Sequence, residues 1–355
     1  MTRTTLRGAI CLALLAGMLM AAGCGRRGGE QTQGAGPEDP AKVEVQARTI
    51  PVFCYHAMSP GATGTYEVPT EDFKEQLAAL QEGGFETVTP TQIAEWLAGK
   101  AELPEKPACI TFDDGAKSIL TVSKPLMDEY GYVGAAFLNT DSVGGEGQMT
   151  WDDVRALQEA GWEIGSHSAT HEHLTRISEE KCREQLEGSK ADIGQEIEGE
   201  CTALAYPYGL YDDSVLEIVR EVGYRIAFTI DRGPADQTDE LLLMPREMVV
   251  NGNSMKTYRR WLAQEKLHVE DLDPPRGSRF DTTSVEITGR LGDEGVPPGE
   301  IEFTLDGKRI DVTVGDDGVS ITLMPKLTTG ESIIRANYYG SPHRETSWLV
   351  ICDAE

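Results

Sequence analysis

Asp113 and Asp114 stand side by side in ITFDDGAK (110–117), where they end an apolar run and are followed at once by Gly115. Two adjacent carboxylates repel each other and cannot both face a core. Successive side chains on a strand point to opposite faces, so a strand end can offer one carboxylate to a cation and its neighbour to a water. A second group follows in SHSATHEHL (166–174), where His167 and His171 are four residues apart and close enough to meet one metal; His173 is a third candidate. The protein has 6 histidines, and half of them fall in this one stretch. Two imidazoles and one carboxylate, with a position left open for water, are the ligand set of a catalytic zinc. The alternative is an exposed polar loop whose histidines bind nothing. Clustering at one strand end, with an aspartate pair at another, weighs against it.

The elements that must position these groups repeat. From about residue 50 to 265, short apolar runs (VFCYHAM, ACITFDD, YVGAAFLN, WEIGSH, TALAYPYG, YRIAFTI) alternate with amphipathic segments. In TEDFKEQLAALQEGG, Phe73, Leu77 and Leu80 share one helical face and the glycines stop the helix. Thr150 and Asp153 predict a capped start for the next one. Such alternation predicts an α/β fold with a parallel sheet, open or closed into a barrel, whose functional residues sit at the carboxyl ends of strands. Asp113, Asp114, His167 and His56, which ends the first strand, all occupy such positions.

Past residue 269 the character changes. The expected organisation is a signal segment 1–23, a tether 24–48, a catalytic barrel 49–268, a linker 269–280 with Pro274 and Pro275, and a small all-β sandwich domain 281–355. The last is expected from alternating β-branched runs separated by Asp-Gly turns at 306–307 and 317–318. It shows no chemistry and reads as a structural appendage.

Composition narrows the setting. Net charge is −27, from 32 basic and 59 acidic residues, which disfavours nucleic acid as a partner. Arg3 and Arg7 precede the apolar run AICLALLAGMLMAAG, and Cys24 follows small residues. MAAGC resembles a bacterial lipobox, so lipid on Cys24 and an extracytoplasmic, membrane-anchored protein are expected, with an ordinary cleaved secretory signal as the alternative. Of 7 cysteines none forms a CxxC pair. Cys54 and Cys109 read as core residues, and an oxidising compartment permits a Cys182–Cys201 bridge.

The order TFDDG (111–115), HSATH (167–171) and AYPYG (205–209) resembles the polysaccharide deacetylases, the NodB-like carbohydrate esterases of family 4, in the subgroup with a YPYG-type third motif. The resemblance spans about residues 50 to 265 and implies a distorted (β/α) barrel that removes acetyl groups with a divalent metal, zinc by default. It implies that Asp114, His167 and His171 hold the metal, that Asp113 is the general base, and that the Tyr208 backbone N–H and Gly209 shape an oxyanion site. Two departures stand out. Ala205 occupies the place of an arginine that orients the base, a role Arg246 in MPREMVV could take. The closing Leu-x-His-Asp motif is absent; His268 is a poor replacement for its histidine, and His56 is the other candidate acid. Asp231 is a weak candidate for the fourth motif. The expected substrate is an N-acetylglucosamine-containing polysaccharide. The alternatives are a carbohydrate-binding protein without turnover and a metal-dependent O-deacetylase or amidase.

Overall fold

The computed structural model describes residues 48–354. The signal segment, the lipid anchor at Cys24 and all but the last residue of the tether lie outside the described residues. Among the described residues no helix is long and apolar enough to cross a membrane.

Seven strands build the first body: β1 (Val52–Tyr55), β2 (Pro107–Phe112), β3 (Ala135–Leu138), β4 (Glu163–Ser166), β5 (Ala203–Ala205), β6 (Ile226–Phe228) and β7 (Glu247–Met248). They pair in parallel in the order β7-β1-β2-β3-β4-β5-β6, and the short strand Glu86–Thr87 adds to β2. A parallel bridge between Phe228 and Met244 draws the approach to β7 back towards β6, so the sheet curls into a distorted barrel. Both faces of β1, β2 and β3 are buried, which is why these runs read as continuously apolar rather than alternating. One face (Val52, Cys109, Ala135, Phe137, Ala203, Phe228) packs with Ile93 and Trp96 of the helix Pro90–Leu97. The other (Phe53, Tyr55, Ile110, Phe112, Leu138, Leu204) meets the surrounding helices, among them Thr70–Glu82, Trp151–Glu159, Glu179–Glu196 and Asp213–Val222. The Thr150–Asp153 capping box forms as expected.

The C-terminal part is all-β, with one six-stranded and one four-stranded sheet around a shared core that includes Leu267, Ile287, Phe303, Ile321 and Trp348. The Asp306-Gly307 turn has both residues at positive φ (47° and 78°) and joins 301–305 to 308–309 as a tight hairpin. The expected linker 269–280 is in fact mostly paired. Val269–Asp273 lies against Ile287–Leu291, and Arg279–Phe280 against the end of Arg344–Cys352. Even Glu265–Lys266, inside the expected barrel span, pairs with Arg344–Glu345. VEDLD escaped notice because only Val269 of the five is fully buried, so no alternation marks it as a strand. Cys54, Cys109, Cys182, Cys201 and Cys352 are all free and buried, so the permitted Cys182–Cys201 bridge is not formed.

Candidate active site

Asp113 follows β2, and its backbone N–H donates to the Tyr55 carbonyl of β1 at 2.8 Å. Its carboxylate is buried and faces Arg246, which reaches it from just before β7. Arg246 Nη1 donates to Oδ1 at 2.8 Å and Nη2 to Oδ2 at 2.9 Å, a two-pronged pair. The rest of the guanidinium is fastened too: Nε donates to the Thr229 carbonyl at 3.0 Å and Nη1 also to Thr111 Oγ1 at 3.1 Å. The rings of Phe137 and Phe228 lie 5.8 Å from its central carbon. Burial by itself would push the Asp113 carboxyl up; the Arg246 charge, with His167 behind it, outweighs that and holds it well below the ordinary carboxylate range. The cation that faces Asp113 thus comes from a segment some forty residues after Ala205 in the chain.

Strict alternation would turn Asp114 away from Asp113. Its φ of 69° breaks the strand and swings the carboxylate back over the barrel mouth. There it meets His167 and His171, with His167 Nε2 at 3.8 Å and His171 Nε2 at 3.7 Å from Asp114 Oδ1. The two Nε2 atoms are 3.1 Å apart. His167 Nδ1 lies 2.7 Å from the Ala205 carbonyl, which can only accept, so the ring proton sits on Nδ1 and the Nε2 lone pair faces His171 and Asp114. Burial holds the His167 pKa below its ordinary value, keeping the ring neutral. Two nitrogens and a carboxylate oxygen aimed at one point fit a single divalent cation.

The backbone around this point is strained. Among the described residues six non-glycines have positive φ, and four of them are Asp114, Ser168, His171 and Tyr208. Such conformations persist only where the surroundings enforce them. The small residue in HSATH is one of the enforcers: Ser168 Oγ accepts the His171 N–H at 3.0 Å, closing the turn that returns His171 to His167. Gly209 is required as well, since at φ 71° a Cβ there would stand 2.4 Å from Ile230.

His56 lies at the same mouth, its Nε2 4.0 Å from Asp114 Oδ2 and its Nδ1 buried without a partner. Burial lowers its pKa against the opposing pull of Asp113 and Asp114. Tyr208 puts its ring against His171 and, stacked at 3.8 Å, against His173. His173 therefore backs a tyrosine and stands apart from the three groups that converge on one point. His268 is bound elsewhere, between Asp236 and Asp293. Asp231 is buried and accepts the Tyr211 hydroxyl, while its backbone carbonyl takes the Arg246 N–H; burial pushes its pKa up to about 6.

Two residues escaped the sequence reading. Asn139, just past β3, donates from Nδ2 to Asp114 Oδ1 at 3.0 Å. Cys54 donates its thiol to Asp113 Oδ2 at 3.3 Å. Cys54, His56 and Asp113 also lie close together, and burial raises the thiol pKa far above its usual value. The available signal for Asn139 was its place at the carboxyl end of a parallel strand.

The barrel has the fold of the NodB-like deacetylases. It aligns with the Streptococcus pyogenes deacetylase PplD, solved in complex with acetate, at a TM-score of 0.57 and 22% identity, covering 61% of this chain and 99% of that one. Residues 100–227 match the polysaccharide deacetylase family model. Sequence relatives agree: YxkH of Bacillus subtilis strain 168, named provisionally as a polysaccharide deacetylase, is 25% identical over 225 residues, 63% of this chain and 80% of that one. The poly-β-1,6-N-acetyl-D-glucosamine N-deacetylase of Staphylococcus aureus strain MSSA476 is 22% identical over 225 residues, 59% of this chain and 77% of that one. Together the family model and the relatives support the polysaccharide deacetylase family for this barrel.

Proposed function

We propose that this protein is a metal-dependent hydrolase that removes N-acetyl groups from an N-acetylglucosamine-containing polysaccharide of the cell envelope or its surroundings. The observation that carries the reading is the division of labour in the aspartate pair: Asp114 converges with two imidazole nitrogens, while Asp113, one residue away, is locked to Arg246. The family match and the substrate in the name of the staphylococcal relative support the polymer class.

In this reading Asp114, His167 and His171 hold the cation, with zinc the expected ion. When bound, it would lower the pKa of a water to about 7 and polarise the acyl carbonyl. Asp113 takes the proton of the attacking water. It is ionised at every physiological pH, and Arg246 keeps its lone pairs in register. The N–H of Tyr208, a residue in a left-handed backbone turn, donates to the carbonyl oxygen as negative charge develops there. His56 passes the proton that Asp113 took from the water on to the leaving amine, in place of the absent closing-motif histidine. Arg246 answers one of the two arguments for a barrel without turnover, because Asp113 keeps a cation beside it. Lipid on Cys24, an extracytoplasmic location and a spacer role for the β body complete the proposal.

The test is acetate release by the zinc-supplied protein from N-acetylglucosamine oligomers, peptidoglycan fragments and acetylated xylan, with Asp113→Asn as control. Release from the amide substrates that the control lacks is expected. Release from xylan alone would make it an O-deacetylase. No release from any of them, with one zinc bound per chain, would overturn the reading.

A further inference from the structure

A single exposed apolar side chain is ordinary; what carries information is aromatic rings gathered beside a polar site. Among the described residues four are exposed: Tyr66 (54%), Tyr208 (45%), Met324 (59%) and Tyr339 (64%). Two of these four touch histidines beside Asp114, Tyr66 through His56 and Tyr208 through His171. Tyr66 rests on the His56 ring at a centroid distance of 4.8 Å, and its backbone carbonyl accepts the Ala57 N–H at 3.2 Å, which anchors the loop that carries it. Tyr208 lies nearly parallel to His173, 3.8 Å away with 17° between the planes, and 4.4 Å from His171. Contacts therefore link Tyr66 and His56, through Asp114, to His171, Tyr208 and His173. Asp114 and His171 in this series are two of the three residues whose donor atoms converge.

Each tyrosine is backed by an imidazole, so its face is held in place before any ligand arrives. A rigid tyrosine offers a large contact area with little side-chain entropy to lose. The backbone of Tyr208 is strained (φ 60°, ψ 5°), and the visible result of that strain is a ring turned outward. The partner such a face suits has a flat apolar side and a polar edge. A pyranose is of this kind, because its axial C–H bonds gather on one face while its hydroxyls point outward.

We propose that Tyr66 and Tyr208 are stacking platforms for the sugar rings on either side of the reacting one, so that the site works on internal residues of an extended β-linked hexosamine chain. A site for terminal residues or free monosaccharide would need a platform on one side only. The inference rests on the deacetylase reading for the reacting group, but its binding component can be measured separately.

The experiment compares kcat/KM for β-linked N-acetylglucosamine pentamer and monomer in the zinc-loaded protein, in Tyr66→Ala, in Tyr66→Phe and in Tyr208→Ala. Tyr339→Ala, an equally exposed tyrosine on the β body, is the control. In parallel, calorimetry measures pentamer affinity in Asp113→Asn, alone and combined with each tyrosine change, where turnover is blocked. The wild type should prefer the pentamer, and Tyr66→Ala should cut that preference roughly tenfold, the scale of one lost aromatic contact. Tyr66→Phe should restore it, Tyr208→Ala should lower both the preference and the affinity, and Tyr339→Ala should change neither. A preference and affinity unaltered by Tyr66→Ala and Tyr208→Ala would overturn the proposal. Should no oligomer release acetate, the deacetylase reading falls by itself. The calorimetry then decides: tyrosine-dependent pentamer binding upholds the platforms, and absent or tyrosine-independent binding overturns them.

Discussion

Two histidine–carboxylate clusters in this molecule use the same residue types to opposite ends. At the barrel mouth, His167 and His171 present their Nε2 atoms to each other and to Asp114, with burial keeping His167 neutral. Where the barrel meets the β body, His268 has both nitrogens occupied, Nε2 by Asp236 at 2.7 Å and Nδ1 by Asp293 at 2.8 Å. Those two hydrogen bonds raise its pKa to about 9. One cluster leaves lone pairs free and backbone strained. The other spends every donor within the protein and keeps its histidine charged. A histidine near acids is thus a ligand or a staple according to where its lone pairs point, which residue type alone does not reveal.

The largest effect that sharpens this contrast is at Asp113. Asp113→Asn is expected to lower kcat for acetate release by about 10²–10⁴-fold, the usual worth of a general base, with zinc still bound one per chain by elemental analysis. If zinc were lost as well, Asp113 would belong among the ligands. Arg246→Leu should be the most destabilising change at the mouth, costing about 3–5 kcal/mol in urea unfolding because it strands a buried carboxylate. Lysine there should not rescue activity, since it cannot form the two-pronged contact.

Asn139→Ala should weaken zinc affinity by roughly 10–100-fold in a chelator competition, as expected for a residue that orients a ligand, with the circular dichroism spectrum unchanged. The smallest effect lies at the staple. The folded pKa of His268, about 9, stands above its ordinary 6.5. Its contribution is therefore fully present below pH 6.5 and is lost as pH rises through about 9. The melting temperature should fall by about 2–4 °C over that window, and His268→Ala should remove the fall while leaving zinc binding intact. A loss of zinc in that variant would erase the distinction between the two clusters.

Much of the site was legible before any coordinates. Asp113, Asp114, His167 and His171 lie in short local patterns at strand ends, and the strand–helix alternation placed those ends along the carboxyl edge of a parallel sheet, open or closed. What escaped notice was either solitary or remote. Asn139 is one polar residue after an apolar run, and Cys54 reads as core because its hydrogen bond to Asp113 crosses from a neighbouring strand. The β body is legible through its turns, yet the strand VEDLD is not, because it lies at a sheet edge and its three acidic residues are exposed.

By itself the sequence determined the residue types that can do chemistry, the strand ends that carry them and the alternation that folds into a barrel, since all three are written in local spacing. Tertiary structure alone decided which arginine faces Asp113, that His173 backs Tyr208 and stands apart from the converging donors, and that His268 binds two acids across a junction. Those outcomes depend on contacts between residues distant in the chain and on a few left-handed backbone turns that re-aim single side chains. No local pattern encodes either, because such contacts exist only once the sheet has curled and brought its strand ends together.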